Sequence, residues 1–453
     1  MEIRNQTPFP ALAFKGLTVD SEAFQVVVLR QTFTFASGTL AFADEQSPLC
    51  EEDAFVGEPN QSSVQAESDL CPFKPRCDIV VNATAHAPGG RPARSFHVRL
   101  QVWKPGAPHC LVDKTLLISG PSQFRRRSFI LRCIWLVVKA ATLGIVSRNP
   151  WKRTRPGKML QLPVRYEHAF GGQAKVVIGD RAESRVKPRD WLPGVTRKAL
   201  QADFDATGQS APLAWTVCEA NPIGQGFAEP WFLKAARIRA LSAPQIEAPE
   251  APVTARLFHR RLRGKDLEDP AFMPRGLGIP GKTWLPRRSL LGTVDEAWAK
   301  SGRPLPEDFS FAIWNCAPPD QQVPILLGDE FLQLTNLCAP DQPGAGVDPN
   351  GQTILRLELP GHVPHLMACF ETGEMVPVLL DLDTLHLDPE RSALILVWRT
   401  VLPMEPGIRT LQVRMLCREQ KEAWLAQGGP EGPPPFQASA QVSGYDSREG
   451  SHG

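Results

Sequence analysis

Proline is the residue that most constrains what this chain can become. Its 453 residues carry 44 prolines and 35 glycines, spread along most of the length. Proline breaks helix interiors and cannot donate to a central ladder, so this density predicts many short elements joined by stiff turns. The apolar runs between those turns are strand-like. FQVVVLRQTFTF (24–35), DIVVNATAHA (78–87), SFHVRLQVW (95–103) and CLVDKTLLIS (110–119) follow one another closely. The APGGRPAR turn predicts that the second and third form a hairpin, with the fourth pairing next.

A second series follows later, with LRLELP (355–360), HLMACFE (365–371), MVPVLLDLDTLHLD (375–388), ALILVWRTV (393–401) and TLQVRML (410–416). The expected fold is mainly β, with two antiparallel, sandwich- or barrel-like units, long Gly/Pro-rich loops and few short helices. The expected boundaries are an N-terminal unit over 1–241, a Pro-rich linker over 242–255 and a C-terminal unit over 256–426. DEAWAKS (295–301) is the best short helix, and EQKEAWLA (419–426) is expected to close the second unit. Residues 427–453, rich in Gly, Pro and Ser, are expected to be disordered.

Composition narrows the function classes. Hydrophobic residues make up 42% and charged residues 22%, the balance of a soluble globular chain, and a net charge of +2 gives no overall pull toward nucleic acid. The small basic clusters at Arg125–Arg127, Arg260–Arg263 and Arg287–Arg288 lack interleaved aromatics and read as solvated faces or contacts for an acidic protein surface. None of the ten cysteines forms a CxxC pair. No basic-then-apolar leader opens the chain, so a reducing, cytoplasmic setting is expected. Ser128–Ser147 has the length of a bilayer span but contains Arg132 and Lys139, so a buried core segment is the expectation.

Two motifs look chemical. Gly276-Leu-Gly-Ile-Pro-Gly281-Lys282-Thr283 matches the phosphate-loop pattern, but no apolar strand precedes it and Pro286 interrupts any following helix. A turn between strands is the expectation, and a nucleotide-binding enzyme using this loop is the alternative. His362, His365 and His386 lack metal-ligand spacing, because Pro364 keeps the first two off a shared helical face. The adjacent Glu167 and His168 would point to opposite faces of a strand. No cofactor or catalytic residue is assigned.

What remains is ESDLCPFKP (67–75) before DIVV. Glu67, Asp69, Lys74, Arg76 and Asp78 crowd around Pro72 and Pro75. Two prolines reduce the entropy lost on ordering such a loop, and its opposite charges can satisfy one another. The loop reads as a rigid structural corner, or as a recognition loop. Trp284 and Arg287 are added as contact or scaffold candidates, since aromatic and Arg anchors carry much interface energy.

These segments share a further property. The runs from NQTPFPALAF through ESDLCPFKPRCDIVVNATAHAPGGRPA, LPVRYEHAFGG, NPIGQGF, WLPRRSLLGTVDEAW and PLPEDFSFAIWNCAPPDQ resemble, in order, the bacterial family designated DUF2169. The stretch around 121–158 and the positions of Cys71 and Cys77 depart from it. The resemblance implies an accessory factor of type VI secretion. Such a factor is a non-enzymatic adaptor or chaperone that binds a toxic effector and helps load it onto a spike of VgrG and PAAR proteins. From the charge pattern, no nucleic-acid partner and no membrane span are expected. A structural component of the secreted particle is the other reading of the same resemblance.

Overall fold

The apolar runs form strands whose pairing ignores their order along the chain. The computed structural model describes residues 2–128, 133–134, 137–138, 140–141, 149–404 and 407–416. Seventeen strands matter here. In the first half they are β1 (Glu2–Asn5), β2 (Ala11–Leu17), β3 (Ala23–Thr34), β4 (Ala41–Phe42), β5 (Cys77–Val81), β6 (Ser95–Trp103) and β7 (Val112–Ser119). Next come β8 (Ile246–Glu247), β9 (Gln322–Val323), β10 (Phe331–Thr335), β11 (Ala345–Val347) and β12 (Thr353–Glu358). Last are β13 (Val363–Phe370), β14 (Met375–Leu379), β15 (Asp381–Asp388), β16 (Ala393–Pro403) and β17 (Ile408–Leu416).

A seven-stranded sheet runs β2-β3-β16-β15-β5-β9, with β4 beside β3, and a six-stranded sheet runs β8-β7-β6-β10-β12-β11. The third, of four strands, runs β1-β17-β13-β14. Most pairings are antiparallel, and the protein is mainly β with few short helices, as composition and turn spacing predict. Among the described residues no sheet closes into a barrel.

The two expected units are not two separate sheets. Strand β3 pairs with β16 from Phe24↔Pro403 to Thr34↔Ala393, and β5 lies parallel to β15 from Asp78↔Thr384 to Val81↔Leu387. In the six-stranded sheet β6 pairs with β10, and in the third sheet β1 lies parallel to β17. One hydrophobic core draws on all three sheets, with Val27, Ile79, Leu100, Leu334, Leu385, Leu396 and Val413 fully buried in it. At about 25 cal/mol per Å² of buried apolar surface, this shared core is the main force joining the two ends of the chain.

The expected hairpin is also replaced. Every residue of β5 is buried, as a strand flanked on both sides requires, so it has no edge left for 95–103. Its continuation, Thr84–His86, pairs instead with Gln161–Pro163, while β6 does pair with β7 as expected. The predicted linker is packed as well. Within 242–255, Ala243, Gln245–Ala248 and Val253 are buried, and Glu247 binds Arg153 at 2.7 Å. Proline there fixes turns around β8 rather than spacing two bodies.

Residues 295–301 form the predicted helix over Glu296–Ser301, capped by the Asp295 carboxylate on the Trp298 N–H at 2.8 Å and ended by Gly302 at φ 70°. EQKEAWLA, the tail from 427 and most of 128–147 lie outside the described residues. No helix among the described residues is long and apolar enough to cross a membrane.

Candidate functional site

The proline-pinned loop folds inward. Asp69 is buried, and its Oδ2 accepts from Arg30 of β3 at 2.6 Å and from the Cys50 N–H at 2.7 Å. Glu67 takes both arms of Arg287, at 2.6 and 3.0 Å, and that guanidinium also donates to the Pro280 and Ile313 carbonyls at 2.7 Å each. Lys74 donates to Asp78 at 2.9 Å and to the Thr384 hydroxyl at 2.8 Å. Asp78, with no exposed surface, also accepts from the Cys316 N–H at 2.8 Å, the Ala317 N–H at 3.1 Å and the Asn315 amide at 3.1 Å. The Arg76 guanidinium, exposed, donates to the Gln322 carbonyl at 2.9 Å.

These pairs have neighbours that the local sequence does not announce. Arg399 of β16 binds Asp383 at 2.5 Å and the Cys71 carbonyl at 2.6 Å. Lys282 holds Asp53 through both carboxylate oxygens at 2.9 Å and approaches Glu67 at 3.6 Å. The one signal that could have located Arg30 and Arg399 is a charge inside an otherwise apolar strand, VVVLRQ and LVWRT. A charge at such a position needs a buried partner.

Burial works against the charge on Lys74, yet the adjacent Asp78 carboxylate holds its pKa well above the ordinary lysine value. Arg287 and Arg399 are likewise desolvated and likewise raised, by Glu67 and Asp383. His386 goes the other way. Burial, then the nearby charges of Arg30, Arg391 and Lys74, push it down to about 4, so it is neutral and its Nε2 lies 2.8 Å from the Asn82 amide. A cavity of about 20 Å³ lies among Arg30, Asp69, Lys74, His386 and Arg399, room for about one water.

Trp284 and Arg287 are both buried, the first packed edge-on against Tyr166 with ring centroids 5.5 Å apart. Both therefore hold the scaffold and present no surface to a partner. Of the seven candidates, Arg76 is the exposed one.

The phosphate-loop sequence is a buried strap over the same corner. The Leu277 carbonyl accepts from Val81 N–H and the Gln321 amide, and Ile279 bridges to Val64. Gly276 and Gly281 are small because an added Cβ would meet Tyr166 at 2.9 Å and Trp284 at 2.8 Å. The lysine that a phosphate would need is held by Asp53, and the next element is a short 3-10 turn, Arg287–Leu291, rather than a helix whose N-terminus could face a phosphate.

A cleft of about 220 Å³ opens beside the strap, between Gly278, Asn82, Arg165 and Arg391. The histidines are dispersed: His362 stacks on Phe42, while His365 and His386 lie on different sheets. Among the described residues no cluster of three or more His, Cys, Asp or Glu could hold a metal. Glu167 is taken up by the Ser63 N–H at 2.8 Å and by its hydroxyl.

The geometry defines a class: a mainly β protein whose ends share sheets and whose charge-rich corner is locked by buried ion pairs. The chain belongs to the bacterial family DUF2169, described as uncharacterized proteins conserved in bacteria, whose model matches residues 20–399. No curated protein and no solved structure matches it.

Proposed function

We propose that this protein is a non-enzymatic, cytoplasmic adaptor that binds a type VI secretion effector and helps load it onto a spike of VgrG and PAAR proteins. The role comes from the family resemblance. The observation that supports it is the rigid corner, in which Arg30, Glu67, Asp69, Lys74, Asp78, Arg287 and Arg399 are spent on one another and on backbone groups. A scaffold stiffened this way positions exposed loops and edges without ordering them at each encounter, which lowers the entropic cost of binding.

Where its neighbouring genes encode an effector and spike proteins, co-expression with them tests the reading. The adaptor should co-purify with the effector, raise its soluble yield and remain in the cells after secretion. An isolated protein that ignores both neighbours, or one that leaves with the particle, refutes it. Nucleotide affinity that disappears in Lys282→Ala would favour the enzyme instead.

A further inference from the structure

The seven-stranded sheet ends at β2, and the phase of its ladder can be read from two bonds. Arg30 N–H donates to the Pro10 carbonyl at 3.0 Å and Thr18 N–H to the Glu22 carbonyl at 2.9 Å. With the register Ala11↔Leu29 to Leu17↔Ala23, the even-numbered residues therefore bond to β3. Ala11, Ala13, Lys15 and Leu17 aim their N–H and C=O groups out of the sheet. Among the described residues these groups have no hydrogen-bond partner.

The edge of the four-stranded sheet makes the contrast. On β14 the Glu374 carbonyl and the Leu380 N–H bond to β13, so Met375, Pro377 and Leu379 face outward. Pro377 has no N–H there, which blunts that edge against pairing. Strand β2 carries no proline. Its one guard is Lys15, exposed on the strand, with Leu12 38% and Leu17 46% exposed on either side. Phe14, half-buried, continues the cluster of Phe24, Val26, Phe73 and Val401 toward this rim.

A row of backbone donors and acceptors at two-residue spacing is complemented by one kind of occupant, another extended polypeptide. The rim adds selectivity: apolar side chains near Leu12, Phe14 and Leu17, and a carboxylate opposite Lys15. We infer that β2 captures an extended segment of the adaptor's partner by strand addition. The segment spans about 23 Å, carries apolar residues at alternate positions, and sets an acidic residue against Lys15. This inference rests on the adaptor reading and names the surface and the partner chemistry.

The test uses the full chain with the purified products of those neighbouring genes. Ala13→Pro deletes an outward N–H that no described strand uses, and Lys15→Glu reverses the guard charge. Each should weaken partner binding about tenfold or more while melting stays near wild type. In the wild-type complex, amide exchange at Ala11, Ala13, Lys15 and Leu17 should slow.

Wild-type affinity in both variants, or protection elsewhere, overturns the edge proposal and leaves the adaptor standing. Wild-type protein that binds neither neighbour removes the adaptor reading and the proposal with it. A wild-type dimer that Ala13→Pro dissociates makes the occupant a second copy, and the proposal falls. Should Ala13→Pro fail to fold, Lys15→Glu and the exchange map decide alone.

Discussion

Replacing Asp78 by alanine should be far more damaging than removing the lysine it pairs with. The carboxylate is completely buried and accepts from Lys74, Asn315 and the N–H groups of Cys316 and Ala317. In Asp78→Ala the Lys74 ammonium, 6% exposed, keeps only the Thr384 hydroxyl among its close oxygen partners. Breaking a buried pair by removing one member costs about 3–5 kcal/mol. Two stranded backbone donors add roughly 1–3 kcal/mol each, less than additively. The expected loss is at least about 4 kcal/mol, out of a total that is typically about 5–15 kcal/mol.

Lys74→Met differs, because the Asp78 charge retains three N–H donors, and it should cost about 1–3 kcal/mol. The double variant should lose less than the sum of the two. Urea unfolding followed by tryptophan fluorescence measures all three, since Trp284 and Trp398 are buried reporters. A loss below about 1 kcal/mol in Asp78→Ala, or a Lys74→Met that is the worse of the two, would refute the account of this corner.

Three further outcomes are expected. His386 has its pKa lowered from 6.5 to about 4, by burial and by Arg30, Arg391 and Lys74, so the unfolded chain binds its proton first. Its contribution is therefore intact above pH 6.5 and is lost as the pH falls toward 4, with about 2 kcal/mol gone by pH 5. His386→Gln keeps an acceptor for Asn82 and should remove that part of the acid sensitivity in unfolding curves at pH 7.5 and 5. Gly281→Ala should destabilise by about 1–3 kcal/mol, because its Cβ meets the Trp284 ring at 2.8 Å; unchanged melting contradicts the strap geometry. Residues 1–241 and 256–453 expressed separately should each be insoluble or unfolded by circular dichroism, since β3 and β5 lose β16 and β15. A cooperative melt from either piece alone would overturn the shared core.

Much of the architecture is legible in the sequence, because proline spacing and alternating runs such as SFHVRLQVW mark strands locally. What the runs leave unmarked is their partners. A strand buried on both faces, like CDIVV with its apolar residues around Asp78, reads the same whether its neighbour is ten residues away or three hundred. Turn chemistry at APGGRPAR suggests the nearest candidate, while packing selects β15. The pinned corner is visible as charge density around Pro72 and Pro75, yet Asp69 finds Arg30 and Glu67 finds Arg287, 220 residues on. Composition misleads at 242–255 for a related reason, since proline-rich chain can be packed as readily as extended. Trp284 and Arg287 have the residue types of interface anchors, and those types serve buried scaffolds equally well.

The most direct test of the adaptor is secretion from cells lacking it. The proposal predicts that a cognate effector disappears from the medium while the VgrG-type spike is still released, and that restoring the chain restores the effector. Effector release at wild-type level without the adaptor, or recovery of this chain in the medium with the spike, would contradict it.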